Sequence, residues 1–82
     1  MVFTFKKLQI PEVILVTSKS FIDERGFFLE SFKDSEFTNN GINAKFVQDN
    51  FSHSIRGVLR GLHYQKNPKA QSKFVTALRG EI

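Results

Sequence analysis

The residues best equipped for chemistry lie in Val58-Leu59-Arg60-Gly61-Leu62-His63-Tyr64-Gln65, where a guanidinium and an imidazole sit three positions apart. On a regular strand alternate side chains point to opposite faces, so Arg60 and His63 diverge. Gly61 between them suits a bulge that turns both toward one cavity. An imidazole exchanges protons near neutral pH, yet taken alone His63 fits a hydrogen-bonded structural histidine better than a general base. Lys73 heads the Phe74-Val75 stretch; a lysine there ordinarily marks an exposed strand boundary, and inside a barrel it can steady an oxyanion. Gln48 and Asn50, on either side of Asp49, share a strand face and offer donors and acceptors without charge. That suits a nucleotide or a sugar, although satisfying backbone at a strand end is the commoner use of such groups.

Other chemistries find no support. His53 and His63 are ten residues apart, and no His-x-His or His-Glu pair stands at ligand spacing, so a metal site is not expected. With no cysteine, thiolate catalysis and disulfides are excluded, and the composition suits a reducing cytosol. Neither a phosphate-cradling glycine loop nor a Gly-x-Ser-x-Gly nucleophile elbow occurs. The segment Arg25-Gly26-Phe27-Phe28-Leu29-Glu30-Ser31-Phe32 invites comparison with the aromatic RNA-stacking motif of RRM domains. It fails there, because Phe28 stands where a small residue is required, Leu29 replaces the second aromatic and Glu30 would repel phosphate.

The elements that must position these groups read mostly as short strands cut by turn residues, without repeat or linker. Val13 to Val16 reads as a strand after Pro11, Asp23 to Gly26 as a turn, and Phe27 to Phe32 as the next strand. Lys33 to Asn40 is the one helix candidate, with Asp34 or Ser35 as N-cap and Asn40-Gly41 as its stop. Strands are expected at 45–54, 58–65 and 73–78, with a turn at Arg56-Gly57 and a loop at Asn67-Pro68. Arg79-Gly80 reads as a hairpin turn and Glu81-Ile82 as the start of another strand. A strand without a body cannot pair, so residues 1–82 are expected to form the N-terminal part of a larger, truncated domain.

Charge is uneven. Residues 1–50 carry six Lys/Arg against seven Asp/Glu, whereas residues 51–82 carry six against Glu81 alone. The basic segment suits an anionic partner, nucleic acid or a phosphorylated small molecule, although a solvated face is the plainer explanation. The longest apolar run, Val13 to Val16, is far too short to span a bilayer, and the first residues do not make a signal peptide.

Taken in order, the motifs resemble the dTDP-4-dehydrorhamnose 3,5-epimerase family. Asp23-Glu24-Arg25-Gly26-Phe27-Phe28-Leu29-Glu30-Ser31 is similar to the family's D-x-R-G-F-F-x-E-S, Phe46-Val47-Gln48-Asp49-Asn50 to its F-V-Q-D-N, and Arg56 to Gln65 to its R-G-V-L-R-G-L-H-Y-Q. Each is short, and their order and spacing carry the specificity. The resemblance implies an all-β fold with one short helix: an RmlC-like cupin, a double-stranded β-helix or jelly-roll barrel, present here as an incomplete N-terminal portion. It also implies a cytoplasmic homodimer with strand exchange and no metal or organic cofactor. Where metal-binding cupins place a second histidine, this chain has Gln65.

The implied activity is that of an isomerase in dTDP-L-rhamnose formation. It would epimerise dTDP-4-dehydro-6-deoxy-glucose at sugar carbons 3 and 5, without nucleic-acid or membrane partners. His63 matches the family base and Lys73 the lysine beside the keto oxygen. Arg60, Gln48, Asp49 and Asn50 match substrate-binding positions, while Arg25 and Glu30 match nucleotide contacts that reach the neighbouring subunit's site. Gln71-Ser72-Lys73 departs from the frequent Gln-Gly-Lys by a bulkier serine. The family's proton-donating tyrosine and its histidine-orienting aspartate belong to the C-terminal half, and Tyr64, beside the base, is no substitute; the 82 residues alone are therefore expected to be inactive. Competing expectations are a related nucleotide-sugar isomerase or single-carbon epimerase, a small β-domain binding single-stranded nucleic acid through Phe stacking, and a non-catalytic remnant.

Overall fold

A computed structural model describes residues 2–82. Its regular elements are four strands and one short helix: β1 (Phe3–Lys7), β2 (Ile14–Ser18), β3 (Ser20–Asp23), β4 (Gly26–Leu29) and α1 (Asp34–Asn39). The chain divides into two units, residues 1–43 and 44–82, and all the regular elements belong to the first.

Within that unit the strands form two antiparallel hairpins, β1–β2 and β3–β4. The first is a consequence of alternation. Phe3 and Phe5 fall on one face of β1, opposite Ser18 and Val16 of β2. Phe3 is buried and Phe5, Ile14, Val16 and Ser18 are half-buried, while Leu15 between them faces out. The connection closes through Leu8 N–H to the Val13 carbonyl at 3.0 Å and Val13 N–H to the Ile10 carbonyl at 2.9 Å.

Helix α1 adds the other half of a small aromatic core. Phe37 meets Phe3, Phe5 and Phe32 edge-on, with centroids 5.5, 5.2 and 4.6 Å away. Such edge-to-face pairs align the positive ring edge with the negative face of the neighbour. Phe3 and Phe37 keep only 2% exposure each. The helix stops as expected. Gly41, at φ +87°, donates to the Thr38 carbonyl at 3.1 Å, and Ile42 N–H reaches the Phe37 carbonyl at 2.9 Å. These paired bonds are a Schellman ending, which needs the left-handed conformation glycine adopts without strain. The start differs from expectation: the N-cap is Lys33, in extended conformation and without a side-chain cap, rather than Asp34 or Ser35. Asp34 and Glu36 instead lie in the first turn, where their negative charge opposes the positive end of the helix dipole.

The β3–β4 hairpin is a two-residue turn, Glu24-Arg25, between the facing Asp23 and Gly26. Strand β4 ends at Leu29, short of the Phe32 expected from sequence. β1 and β3 were not foreseen.

In the second unit the strands expected at 45–54, 58–65 and 73–78 do not form. An extended segment becomes a strand only when its N–H and C=O groups find a neighbouring strand. Among the described residues none pairs with these three. The expected turn at Arg56-Gly57 is present, the Val58 N–H donating to the Ile55 carbonyl at 3.3 Å; the loop at Asn67-Pro68 is closed by the Lys69 N–H to the Lys66 carbonyl at 2.8 Å, and Arg79-Gly80 is a bend with no paired strands among the described residues rather than a hairpin turn. From Val47 onward every residue is exposed. The rings of Phe46 and Phe74, 6.3 Å apart, join the two stretches that carry Gln48 and Lys73.

Candidate functional site

Arg25 owes its position to the hairpin turn. Gly26, at φ +133°, allows the chain to reverse there. Asp23, the last residue of β3, accepts the Arg25 main-chain N–H on Oδ1 and the Arg25 Nη2 on Oδ2, both at 2.8 Å. The guanidinium beside it, joined by the backbone N–H groups of Arg25 and Gly26, holds the Asp23 carboxyl below the ordinary aspartate value. Both side chains stay open to solvent, 87% exposed for Arg25 and 48% for Asp23. The turn borders an open hollow of about 560 Å³, lined by Ser20, Ile22 and the Asp23-to-Phe27 turn.

Behind the turn, Phe21 and Phe28 stand directly across the strands from each other and are both exposed. The Lys19 ammonium lies 5.3 Å from the centre of the Phe21 ring, within cation–π range. Glu30 is half-buried just beyond β4, and its main-chain carbonyl accepts the Ser18 hydroxyl.

The remaining sequence-derived candidates belong to the second unit. Gln48 donates through Nε2 to Asn50 Oδ1 at 3.3 Å, so the two side chains meet although the strand expected there does not form; Asp49 is exposed between them. Arg60, His63 and Lys73 are exposed on backbone without regular structure. Gly61 takes φ +115°, a kink where the bulge is expected. The structure thus brings Gln48 and Asn50 together, whereas Arg60, His63 and Lys73 each stand exposed.

Asp23 is the residue missed from sequence. Its signal is the Asp-x-Arg spacing of the turn, since an Asp side chain readily bonds a main-chain N–H two residues on.

Among the described residues no three His, Cys, Asp or Glu side chains cluster as metal ligands. No helix among the described residues is long and apolar enough to cross a membrane.

Comparison with known proteins defines the class to which this arrangement of motifs corresponds. A sequence profile described as dTDP-4-dehydrorhamnose 3,5-epimerase matches residues 7–82, so the chain belongs to that sugar-nucleotide epimerase family. It is 48% identical over 80 residues to the dTDP-4-dehydrorhamnose 3,5-epimerase of Methanothermobacter thermautotrophicus, covering 98% of this chain and 43% of the relative. Against the enzyme of the same name from Shigella flexneri it is 52% identical over 77 residues, covering 93% of this chain and 42% of the relative. The Pseudomonas aeruginosa enzyme of that name gives 52% identity with the same coverage of both chains. The chain therefore spans well under half the length of the curated relatives it matches.

Proposed function

We propose that these residues supply the proton-abstracting side of a dTDP-4-dehydrorhamnose 3,5-epimerase site. The observation carrying this reading is the family match across residues 7–82, which contains all eight candidate site residues in one order. The substrate is dTDP-4-dehydro-6-deoxy-glucose, whose C4 ketone is flanked by C–H bonds at C3 and C5.

In this reading the neutral His63 imidazole takes the proton from carbon. The C–H electron pair becomes a double bond between that carbon and C4, and the π pair of the C4 ketone moves onto its oxygen, forming an enolate. The Lys73 ammonium meets that oxygen and lowers the cost of its charge. A positioned base contributes about 10²–10⁴-fold, and one oxyanion donor about 10²–10³-fold. Arg25 and Arg60 grip the diphosphate through forked hydrogen bonds. Gln48, Asp49 and Asn50 meet the sugar, and Glu30 the nucleotide. Inversion requires a proton delivered to the opposite face of the carbon, and Tyr64, next to the base, is badly placed for that.

The same reading makes both units parts of a single RmlC-like cupin domain of a cytoplasmic homodimer. There the segments 45–54, 58–65 and 73–78 gain the strand partners they lack among the described residues. The Phe46–Phe74 contact supports this, because it already joins the stretches bearing Gln48 and Lys73.

The experiment is titration calorimetry of an epimerase subunit carrying these residues, with dTDP and with single-stranded oligonucleotides. Binding of dTDP, with any oligonucleotide signal displaced by excess dTDP, is expected. Salt-sensitive oligonucleotide binding without dTDP competition would instead favour a nucleic-acid module built on the basic segment 51–82.

A further inference from the structure

We infer that Asp23 is a positioning residue of the nucleotide-sugar site, holding the Arg25 guanidinium oriented for the diphosphate before the ligand arrives. This rests on the proposed reading of Arg25 as a nucleotide contact and adds a residue to it.

Two bonds with different purposes carry the inference. The first, from the Arg25 main-chain N–H to Asp23 Oδ1 at 2.8 Å, closes the hairpin turn. That bond needs only an acceptor, which a neutral Asn also provides. The second, from Arg25 Nη2 to Asp23 Oδ2 at 2.8 Å, does nothing for the turn. Both side chains are largely solvated, and an ion pair so exposed adds little to stability. What the second bond does is restrict a long, flexible side chain. With one carboxylate oxygen tied to the backbone, Asp23 cannot swing away, and the guanidinium is held to the turn beside the hollow lined by Ser20 and Ile22.

The pair takes up only part of the fork. A guanidinium carries five N–H donors, so the Asp23 bond leaves others for phosphate oxygens. A side chain already held loses less freedom on binding. Immobilising one such chain costs roughly two- to tenfold in affinity, which is the size of effect at stake. The Asp23 charge also opposes an arriving anion, but with both side chains open to water the high dielectric keeps that repulsion small.

The test uses D23N, R25Q and the double variant in an epimerase subunit carrying these residues, with steady-state kinetics on the sugar nucleotide. D23N keeps an acceptor for the turn and removes the partner of the guanidinium. We expect D23N to raise KM about two- to tenfold with kcat unchanged, R25Q to raise KM at least as much, and D23N to add nothing in the R25Q background. D23E, which keeps the carboxylate, should recover part of the loss. If R25Q raises KM while D23N leaves it unchanged or lowers it, the positioning role is wrong and the Arg25 reading survives. If R25Q itself leaves KM unchanged, the Arg25 reading fails and the positioning role falls with it. An equal effect of D23N with or without Arg25, or a fall in kcat, would mark Asp23 as structural and overturn the inference.

Discussion

The Ser18 hydroxyl donates to the main-chain carbonyl of Glu30, tying the end of the first hairpin to the chain just beyond the second. The bond is part-buried and spans 12 positions in sequence, so it fixes a non-local relationship with one side-chain oxygen. Glu30 is thereby held by its backbone. Replacing Ser18 by Ala leaves the carbonyl partly desolvated without a donor and should cost about 1 kcal/mol. S18T, which keeps the hydroxyl, should lose less. Urea denaturation followed by the ring resonances of Phe3 and Phe37 would measure both.

The aromatic core gives a larger effect. Phe37 touches three other rings and is fully buried. F37A removes these edge contacts and opens a cavity, at about 3–5 kcal/mol. With a core of this size, that loss should unfold residues 1–43 at room temperature. F37L fills part of the space and should cost distinctly less; equal stability of F37A and the parent chain would contradict the packing.

Acid should act on the second hairpin through Asp23. Its carboxyl lies below the ordinary value of 3.8 because it accepts from Arg25. A group with a folded value below its unfolded one contributes stability that is complete above the unfolded value. That contribution disappears as pH falls through the folded value. The Asp23 contribution should therefore be present at neutral pH and lost only below about pH 4. A carbon-13 titration of the Asp23 carboxyl should place its midpoint below 3.8, and R25Q should move that midpoint upward. An unchanged midpoint in R25Q would show that the ion pair is not its cause.

Backbone pairing separates the two units. Amide exchange in the 82-residue chain should be at least about tenfold slower in the β1–β2 ladder than across 47–82, where the backbone is exposed and unladdered. In an epimerase subunit carrying the chain, 45–54, 58–65 and 73–78 should become protected. Persistently fast exchange there would contradict the proposed barrel.

Local chemistry was legible in sequence, and pairing between distant segments was not. Asn40-Gly41 ends the helix and Asp23-Glu24-Arg25-Gly26 makes the turn, because each is decided by a few adjacent residues. Ile14–Ser18 lies one residue inside the expected start of its strand for the same reason. Phe3–Lys7 has no turn residue ahead of it to mark a strand, so its pairing with Ile14–Ser18 is not visible locally. The segment around His63 is β-rich in composition, yet composition supplies no partner strand. In the site, Gln48 and Asn50 do meet, two residues apart, without the strand expected to align them. The hold of Asp23 on Arg25 is not marked in sequence, because two opposite charges in a turn are ordinarily each solvated on their own.

The most direct measurement is proton NMR of dTDP-4-dehydro-6-deoxy-glucose in deuterium oxide, with an epimerase subunit carrying these residues and its H63N variant. The parent protein should incorporate deuterium at C3 and C5. H63N should lose at least about a hundredfold in exchange rate while binding dTDP within a few-fold of the parent. Exchange that survives in H63N, or a parallel collapse of exchange and dTDP affinity, would contradict His63 as the base.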